Sequence, residues 1–210
     1  MGKSTGGKFL MKKVLIIGAT GNVGSATRKQ LLQETNTQLT LFSRHADQLT
    51  IDPHRERVLN GDANQMADLT AAIEGQDVVF AALSGRVDQF AQNIIQAMDQ
   101  QDVHRLIFIC SMGIYNEVPE SISTYNLKNE PILKFYRAAA DAIEDSDLDY
   151  TIIRPGWFTD GPVNYEITHK GQPFAGHDAS ISSIADLVKQ LIVKDDFGNR
   201  DNLGINTPNK

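Results

Sequence analysis

Cysteine is nearly absent from this chain of 210 residues: Cys110 stands alone, so no disulfide can form within it. Long apolar runs are missing too, since residues 1–10 lack the core of a signal peptide and Val14 to Ile17 is far too short to cross a bilayer. Basic residues are not in excess, with 20 Lys and Arg against 26 Asp and Glu. These absences argue against secreted, membrane-spanning and nucleic-acid-binding proteins and predict a cytoplasmic one.

Metal-binding motifs and a complete phosphate-binding loop are also missing. The five histidines show no H-x-x-x-H or H-E-x-x-H spacing, so no metal site is predicted. Gly2 to Lys8 matches the start of a phosphate-binding loop, but Phe9 stands where that loop needs Ser or Thr. Because Met11-Lys12-Lys13 resembles a native start, we interpret residues 1–10 as a leader outside the fold and 11–210 as one domain.

Short apolar and β-branched runs alternate with segments of helical period along the chain. The predicted strands are Val14–Ile17, Leu39–Phe42, Arg57–Leu59, Val78–Ala82, Leu106–Cys110 and Tyr150–Ile153, the last ended by Arg154-Pro155-Gly156. The predicted helices pass through Val23 to Leu31, Leu69 to Ile73, Phe90 to Met98, Phe135 to Ile143 and Ile184 to Ile192. This order predicts a doubly wound α/β fold whose parallel sheet binds ligands beyond the carboxyl ends of its strands.

A glycine-rich loop connects the first strand to the first helix. It reads Gly18-Ala-Thr-Gly-Asn-Val-Gly24, and its missing side chains allow a tight turn and a close approach to a pyrophosphate. The helix that follows offers free N–H donors and the positive end of its dipole. A tight turn without any ligand is the alternative. The loop predicts a dinucleotide site that includes Gly18, Thr20, Gly21, Asn22, Val23 and Gly24.

The end of the second strand indicates which dinucleotide is bound. A site for NAD usually has Asp or Glu here to accept hydrogen bonds from the ribose, but this chain has Ser43-Arg44 and no carboxylate before Asp47. A hydroxyl next to a guanidinium suits a 2′-phosphate, because Arg pairs with phosphate through two hydrogen bonds. A merely solvated Arg44 is the alternative. The sequence favours NADP(H) and also allows NAD(H).

Two more strand ends are candidates for contact with the adenosine. Gly61-Asp62-Ala63 follows the third strand, where Asp62 either accepts from the adenine amino group or serves as a turn residue. Ala82-Leu83-Ser84 follows the fourth, where small residues either leave room for the nucleoside or only pack. We predict that all six residues bind the cofactor.

These motifs resemble the atypical short-chain dehydrogenases/reductases, and among them the NmrA-like NAD(P)H-binding proteins. The resemblance runs from about Lys12 to Pro208 and is carried by the glycine loop, Ser43-Arg44, Gly61-Asp62, the stretch Arg105 to Ser111 and the stretch Arg137 to Gly156. It implies a Rossmann-type core with a small C-terminal substrate-side segment, with substrate-side elements within 112–131 and 155–210. It also implies that the cofactor crosses the strand ends from Gly18 to Pro155.

The chain departs from the family at the proton donor. Short-chain dehydrogenases usually use the Tyr of Y-x-x-x-K, but no tyrosine here has Lys four residues later, and Tyr136 occupies the usual lysine position. Ser111 matches the family's serine, so it is the predicted catalytic residue and a cofactor contact; a strand-end hydroxyl in a turn is the alternative. Pro155, Gly156 and Trp157 are expected to cover the nicotinamide, and Tyr115 and Tyr136 are candidates for the substrate side.

The resemblance implies an NAD(P)H-binding oxidoreductase. Because the Tyr/Lys pair is absent, we expect NADPH-dependent reduction of a flavin, a quinone or a similar small acceptor, where placing the nicotinamide supplies most of the catalysis. The alternative is a non-catalytic NADP(H) sensor that binds a protein partner. An epimerase or dehydratase is disfavoured by size. The expected partners are a small-molecule acceptor and no nucleic acid or membrane, in a monomer or homodimer.

Overall fold

Every predicted strand and helix is present in the computed structural model, which describes residues 11–208. The predicted leader and the partial phosphate-loop match lie outside the described residues. The strands are β1 (Lys13–Ile17), β2 (Gln38–Ser43), β3 (Glu56–Asn60), β4 (Val78–Ala81), β5 (Arg105–Ile109), β6 (Asp149–Pro155), β7 (Trp157–Thr159), β8 (Glu166–His169), β9 (Asp178–Ser180) and β10 (Asp201–Asn206). The helices are α1 (Asn22–Glu34), α2 (Met66–Ile73), α3 (Val87–Gln100), α4 (Leu133–Glu144) and α5 (Ile181–Val193).

Eight strands form one sheet in the order β3-β2-β1-β4-β5-β6-β10-β8. All neighbours pair in parallel except β8, which runs antiparallel to β10. The order reverses direction between β1 and β4, where chain connections leave toward opposite edges. Ligands bind at such a switch point in doubly wound sheets. The predicted doubly wound α/β fold is confirmed.

Helices cover both faces of the sheet, so the central strands are apolar on both sides. Leu15 and Ile17 of β1 pack in the core beneath α2, α3 and α4, while Val14 and Ile16 pack on the opposite face with α1 and α5. All four side chains are fully buried. This two-sided burial explains why β1 reads as an unbroken apolar run rather than an alternating one. No helix within residues 11–208 is both long enough and apolar enough to cross a membrane.

The prediction that Arg154-Pro155-Gly156 ends the sixth strand at Ile153 is wrong, because β6 continues through Pro155. Arg154 is fully buried, and its Nε donates to Asn202 Oδ1 of β10 at 2.7 Å. The strands β7, β8, β9 and β10 were not predicted. In β10, the polar Asn202 and the small Gly204 are poor strand formers, and this strand is held by neighbours distant in sequence.

Candidate active site

The carboxyl ends of β1 to β4 border a cleft of about 380 Å³. Most residues predicted to bind the cofactor lie on its wall, namely Gly18, Thr20, Gly21, Ser43, Arg44, Gly61, Asp62, Ala63, Ala82, Leu83 and Ser84. Residues that sequence reasoning did not select line it as well: Ile17, Phe42, His45, Asn64 and Phe90. The four predicted strand ends therefore meet at one place.

Backbone contacts that exclude a side chain build the glycine loop. Gly18 has a φ of +89°, and a Cβ there would lie 2.2 Å from the Ala82 carbonyl oxygen. A Cβ on Gly24 would lie 2.2 Å from the Gly18 carbonyl oxygen. Gly18 N also donates to the Phe42 carbonyl at 3.0 Å. Glycines thus allow β1, β2, β4 and α1 to approach closely at the switch point.

The start of α1 faces this loop with its first amides. Gly21 is the N-cap residue, and no side chain caps the helix. Asn22, Val23 and Gly24 do not line the cleft, and the Val23 side chain is buried in the core. That these three residues contact the cofactor stays a prediction, and the groups available for such a contact are their backbone N–H groups at the positive end of the helix dipole.

Ser43 and Arg44 lie side by side where β2 ends. The Ser43 Oγ is buried without a hydrogen-bond partner among residues 11–208. The Arg44 side chain is exposed, and within the same described range it has no hydrogen-bond or ion-pair partner. An unpaired buried hydroxyl is unfavourable, so a polar group from a ligand would stabilise this strand end.

Asp62 makes the turn that was considered as its alternative role. Its Oδ1 accepts from the backbone N and from the Nδ2 of Asn64, each at 2.9 Å. Asp62 lines the cleft, and its other carboxylate oxygen, Oδ2, has no hydrogen-bond partner among residues 11–208. At Gly61 a Cβ would lie 2.4 Å from the Phe42 ring, so this glycine permits the ring to pack under the turn. The turn role is present, and it leaves one oxygen for a ligand.

A second cavity of about 280 Å³ lies where β5 and β6 end. Its wall is mostly apolar and aromatic, formed by Cys110, Ser111, Met112, Tyr125, Tyr136, Pro155, Gly156, Trp157 and Phe158. The Trp157 and Tyr125 ring centroids are 4.9 Å apart. Trp157 and Phe158 are each 47% exposed, although large aromatic side chains usually bury more of their surface. Exposed aromatics around a concavity are typical of a binding site for a small molecule.

Ser111, Tyr125 and Tyr136 are the hydroxyl-bearing residues on the wall of this cavity, and sequence reasoning missed Tyr125. The Ser111 Oγ donates to the Met112 carbonyl at 3.0 Å, which is the turn role considered as its alternative. Burial raises the pKa of the Tyr125 hydroxyl, and the nearby Ser111 side chain opposes that rise. Gly113, which has a φ of +81°, allows the Tyr125 backbone to pack close to it, because a Cβ at this position would lie 2.3 Å from the Tyr125 carbonyl oxygen.

Tyr115 and Tyr136, the two tyrosines predicted for the substrate side, lie in different places. Tyr136 lines the cavity, whereas Tyr115 does not and instead donates from its hydroxyl to Glu144 Oε1 at 2.9 Å. Cys110 is buried, as predicted, and burial raises the pKa of its thiol to about 12. No cluster of three potential metal ligands occurs in the part of the chain that the structure describes.

Comparison with known proteins places this architecture in a family. The model of a family described as NAD(P)H-binding matches residues 18–195. A Rossmann-fold NAD(P)-binding family protein from Shigella flexneri is 39% identical, with 96% of each chain covered and a TM-score of 0.83. The chain belongs to the NAD(P)H-binding family, which confirms the predicted NAD(P)H-binding assignment.

Two further matches are less similar, at 23% identity each. A short-chain dehydrogenase/reductase from Veillonella parvula, solved in complex with NADP, is 23% identical over 95% of this chain and 96% of that one, with a TM-score of 0.85. A (4-alkanoyl-5-oxo-2,5-dihydrofuran-3-yl)methyl phosphate reductase from Streptomyces griseus is 23% identical over 152 residues, which are 72% of this chain and 50% of the relative. The chain thus spans about half the length of that relative.

Proposed function

We propose that this member of the NAD(P)H-binding family is an NADPH-dependent oxidoreductase that reduces a small conjugated acceptor, such as a flavin or a quinone. The observation that carries the proposal is the pair Ser43 and Arg44, which lies on the wall of the strand-end cleft and has no carboxylate at the end of its own strand before Asp47. The NADP complex of the Veillonella parvula relative, which shares the fold, supports the choice of dinucleotide. NADP(H) is the preferred cofactor, and the site also admits NAD(H).

The residues of the cleft fit NADP(H). Glycines whose Cβ atoms would clash with backbone keep the loop close-packed, so a pyrophosphate can approach the start of α1. The unpaired Ser43 Oγ and the uncommitted Arg44 guanidinium together suit a 2′-phosphate. In this proposal the Asp62 Oδ2 and the backbone of Ala82, Leu83 and Ser84 accommodate the adenosine.

The cavity at β5 and β6 is the proposed acceptor side. NADPH, when bound, supplies a hydride. The Trp157, Phe158 and Tyr125 rings offer flat apolar faces against which a conjugated ring stacks. Ser111 and Tyr125 both line this wall, so in our proposal their hydroxyls orient a carbonyl or imine group of the acceptor. Water can supply the proton to a reduced quinone or flavin, which is why a Tyr/Lys pair is not required.

The test is oxidation of NADPH by the purified protein against a panel of flavins, quinones and simple carbonyl compounds. We expect turnover with at least one flavin or quinone, and we expect the Arg44→Ala variant to need much more NADPH for the same rate. Arg57→Ala is the matched control, because Arg57 is an exposed arginine on β3 outside the cleft. NADPH binding without turnover on any member of the panel would contradict the reductase proposal.

A non-catalytic NADP(H) sensor is the second candidate, and the absence of a Tyr followed four residues later by Lys favours it. In a sensor, the affinity for a protein partner must differ between the bound and free forms. The test compares how much partner protein is captured with NADPH and without it. Equal capture under the two conditions would contradict a sensor. The proposal places the protein in the cytoplasm as a monomer or homodimer.

A further inference from the structure

A fully buried arginine lies directly beside the acceptor cavity. Arg154 is 0% exposed, and its Nη1 donates to Glu117 Oε1 at 2.5 Å; the Glu117 side chain is only 7% exposed. Removing two charges from water is costly, so such a pair adds little to stability compared with apolar residues. The geometry around the pair indicates what else it does.

Glu117 holds the turn that follows Ser111. Its Oε1 also accepts from Gly113 N at 3.0 Å, and its Oε2 accepts from Tyr115 N at 2.9 Å. Gly113 is the residue whose missing side chain lets the Tyr125 backbone approach. The Glu117 carboxylate therefore fixes the segment that follows Ser111 and against which the Tyr125 backbone packs.

Arg154 holds the other wall of the same cavity. It immediately precedes Pro155, Gly156 and Trp157, and its Nε donates to Asn202 Oδ1 at 2.7 Å. The two walls also touch directly, because Met112 N donates to the Pro155 carbonyl at 3.3 Å. The ion pair thus connects the Ser111 segment with the Trp157 segment across the end of the sheet.

We propose that Glu117 and Arg154 are positioning residues that set the spacing between the Ser111–Tyr125 pair and the Trp157 wall. This inference rests on the proposed reductase function for its effect on rate. Neither side chain lines the acceptor cavity, so both act through the segments they hold. A misplacement of about 1 Å in a reacting group can cost on the order of 100-fold in rate.

The chain contains a matched control pair elsewhere. Arg28 and Glu56 join α1 to β3, with Nε to Oε1 at 2.5 Å and side-chain exposures of 17% and 0%. Glu56 also accepts a backbone amide, that of Asp52, at 2.9 Å. Glu56→Gln therefore breaks a comparably buried Arg–Glu pair outside both cavities.

The experiment compares Glu117→Gln with Glu56→Gln in the full chain. Both variants are expected to unfold at lower temperature than the wild type, since each leaves a buried arginine without its anion. Only Glu117→Gln is expected to lower kcat with the acceptor, by about 10- to 100-fold, while the Kd for NADPH stays close to the wild-type value. Trp157, the single tryptophan of the chain, should change its fluorescence emission only in Glu117→Gln.

Equal effects of the two variants on kcat and on Trp157 emission would overturn the inference, as would wild-type values for Glu117→Gln. If Glu117→Gln does not fold, Glu117→Asp keeps the charge beside Arg154 but shortens the side chain by one methylene. We expect Glu117→Asp to have a lower kcat than the wild type and a changed Trp157 emission. Wild-type values of both would overturn the inference. If no acceptor is ever turned over, the reductase proposal fails, and the comparison of emission still decides whether the pair positions the Trp157 wall.

Discussion

The cleft at the ends of β1 to β4 and the cavity at the ends of β5 and β6 are held by different kinds of contact. At the first, glycines bring backbone against backbone: Gly18 meets the Ala82 carbonyl, and Gly24 meets Gly18. At the second, a side-chain network does the holding, with Glu117 bonded to Arg154 and to two backbone amides. The first depends on the absence of side chains, and the second on particular charged ones.

This difference teaches which substitutions each part tolerates. In the cleft, adding a single carbon to a glycine forces strands apart, whereas exchange of an exposed side chain such as Arg44 changes only what is bound. In the cavity, exchange of a buried side chain moves the walls themselves. We call the cleft the dinucleotide half and the cavity the acceptor half, after the functions proposed for them. Backbone contacts fix the geometry of the dinucleotide half, whereas the geometry of the acceptor half depends on its side-chain network. Four predictions test that contrast.

The largest effect is expected for Gly18→Ala. An alanine at a φ of +89° is strained by about 1–2 kcal/mol, and its Cβ would clash with the Ala82 carbonyl oxygen. We expect loss of NADPH binding by calorimetry and a much lower unfolding temperature. Gly75→Ala is the control, because Gly75 also has a positive φ, of +67°, but no atom within 4 Å of its added Cβ. Equal destabilisation of both variants would contradict the role of close backbone packing at Gly18, since the strain of a positive φ would then explain the whole effect.

Arg44→Ala is expected to have the next largest effect. Loss of a charge-assisted contact with the 2′-phosphate costs about 1.5–3 kcal/mol, or roughly 10- to 150-fold in NADPH affinity. The affinity for NADH and the unfolding temperature should stay unchanged. Calorimetric titration of both nucleotides measures this, with Arg57→Ala as the control. Equal weakening of NADPH and NADH would remove the assignment of Arg44 to the phosphate.

A smaller effect is expected for Tyr125→Phe and for Ser111→Ala. Each removes one hydroxyl from the acceptor side, so we expect about a tenfold lower kcat and little change in the Kd for NADPH. The control is Tyr165→Phe, because the Tyr165 hydroxyl donates to Asp186 at 2.9 Å and lies outside both cavities. A larger change in NADPH affinity than in kcat would contradict the division of the site into two halves.

The smallest effect concerns Cys110. Burial raises its pKa to about 12, so at pH 8 only about one thiol in ten thousand is ionised, compared with about one in four for an ordinary cysteine. Alkylation of the folded protein should be very slow at pH 8 and rise with pH. It should become rapid when denaturant is added. Rapid alkylation without denaturant would mean that the cavity opens readily around Cys110. That result would contradict the claim that the side-chain network holds the cavity walls in place.

The sequence predicted the cleft well because its signals are local. Gly18 to Gly24 and Ser43-Arg44 each lie within a few residues of a strand end, and a parallel sheet brings such ends together. The parallel, doubly wound sheet and the two-sided burial of β1 followed from the alternation of strands and helices and from the unbroken apolar run Val14–Ile17. A resemblance to a known family carried the assignments at Ser111 and Pro155.

The acceptor half could not be predicted in the same way because its contacts are distant in sequence. Arg154 was interpreted as part of a strand end, but its partners Glu117 and Asn202 are 37 and 48 residues away. No sequence motif includes Tyr125. Its place on the cavity wall depends on the close packing of its backbone against Gly113, which the sequence does not show. β10 was missed for a related reason: its polar and glycine positions become favourable only beside β6 and β8.

Calorimetric titration of the wild-type protein with NADPH and with NADH, after removal of any copurified nucleotide, tests the central claim most directly. The account predicts that one NADPH binds per chain and that NADH binds at least about tenfold more weakly, because only NADPH carries the 2′-phosphate that Arg44 can contact. Equal affinities would contradict the assignment of Ser43 and Arg44. Failure of both nucleotides to bind would contradict the proposal that the strand-end cleft holds a dinucleotide.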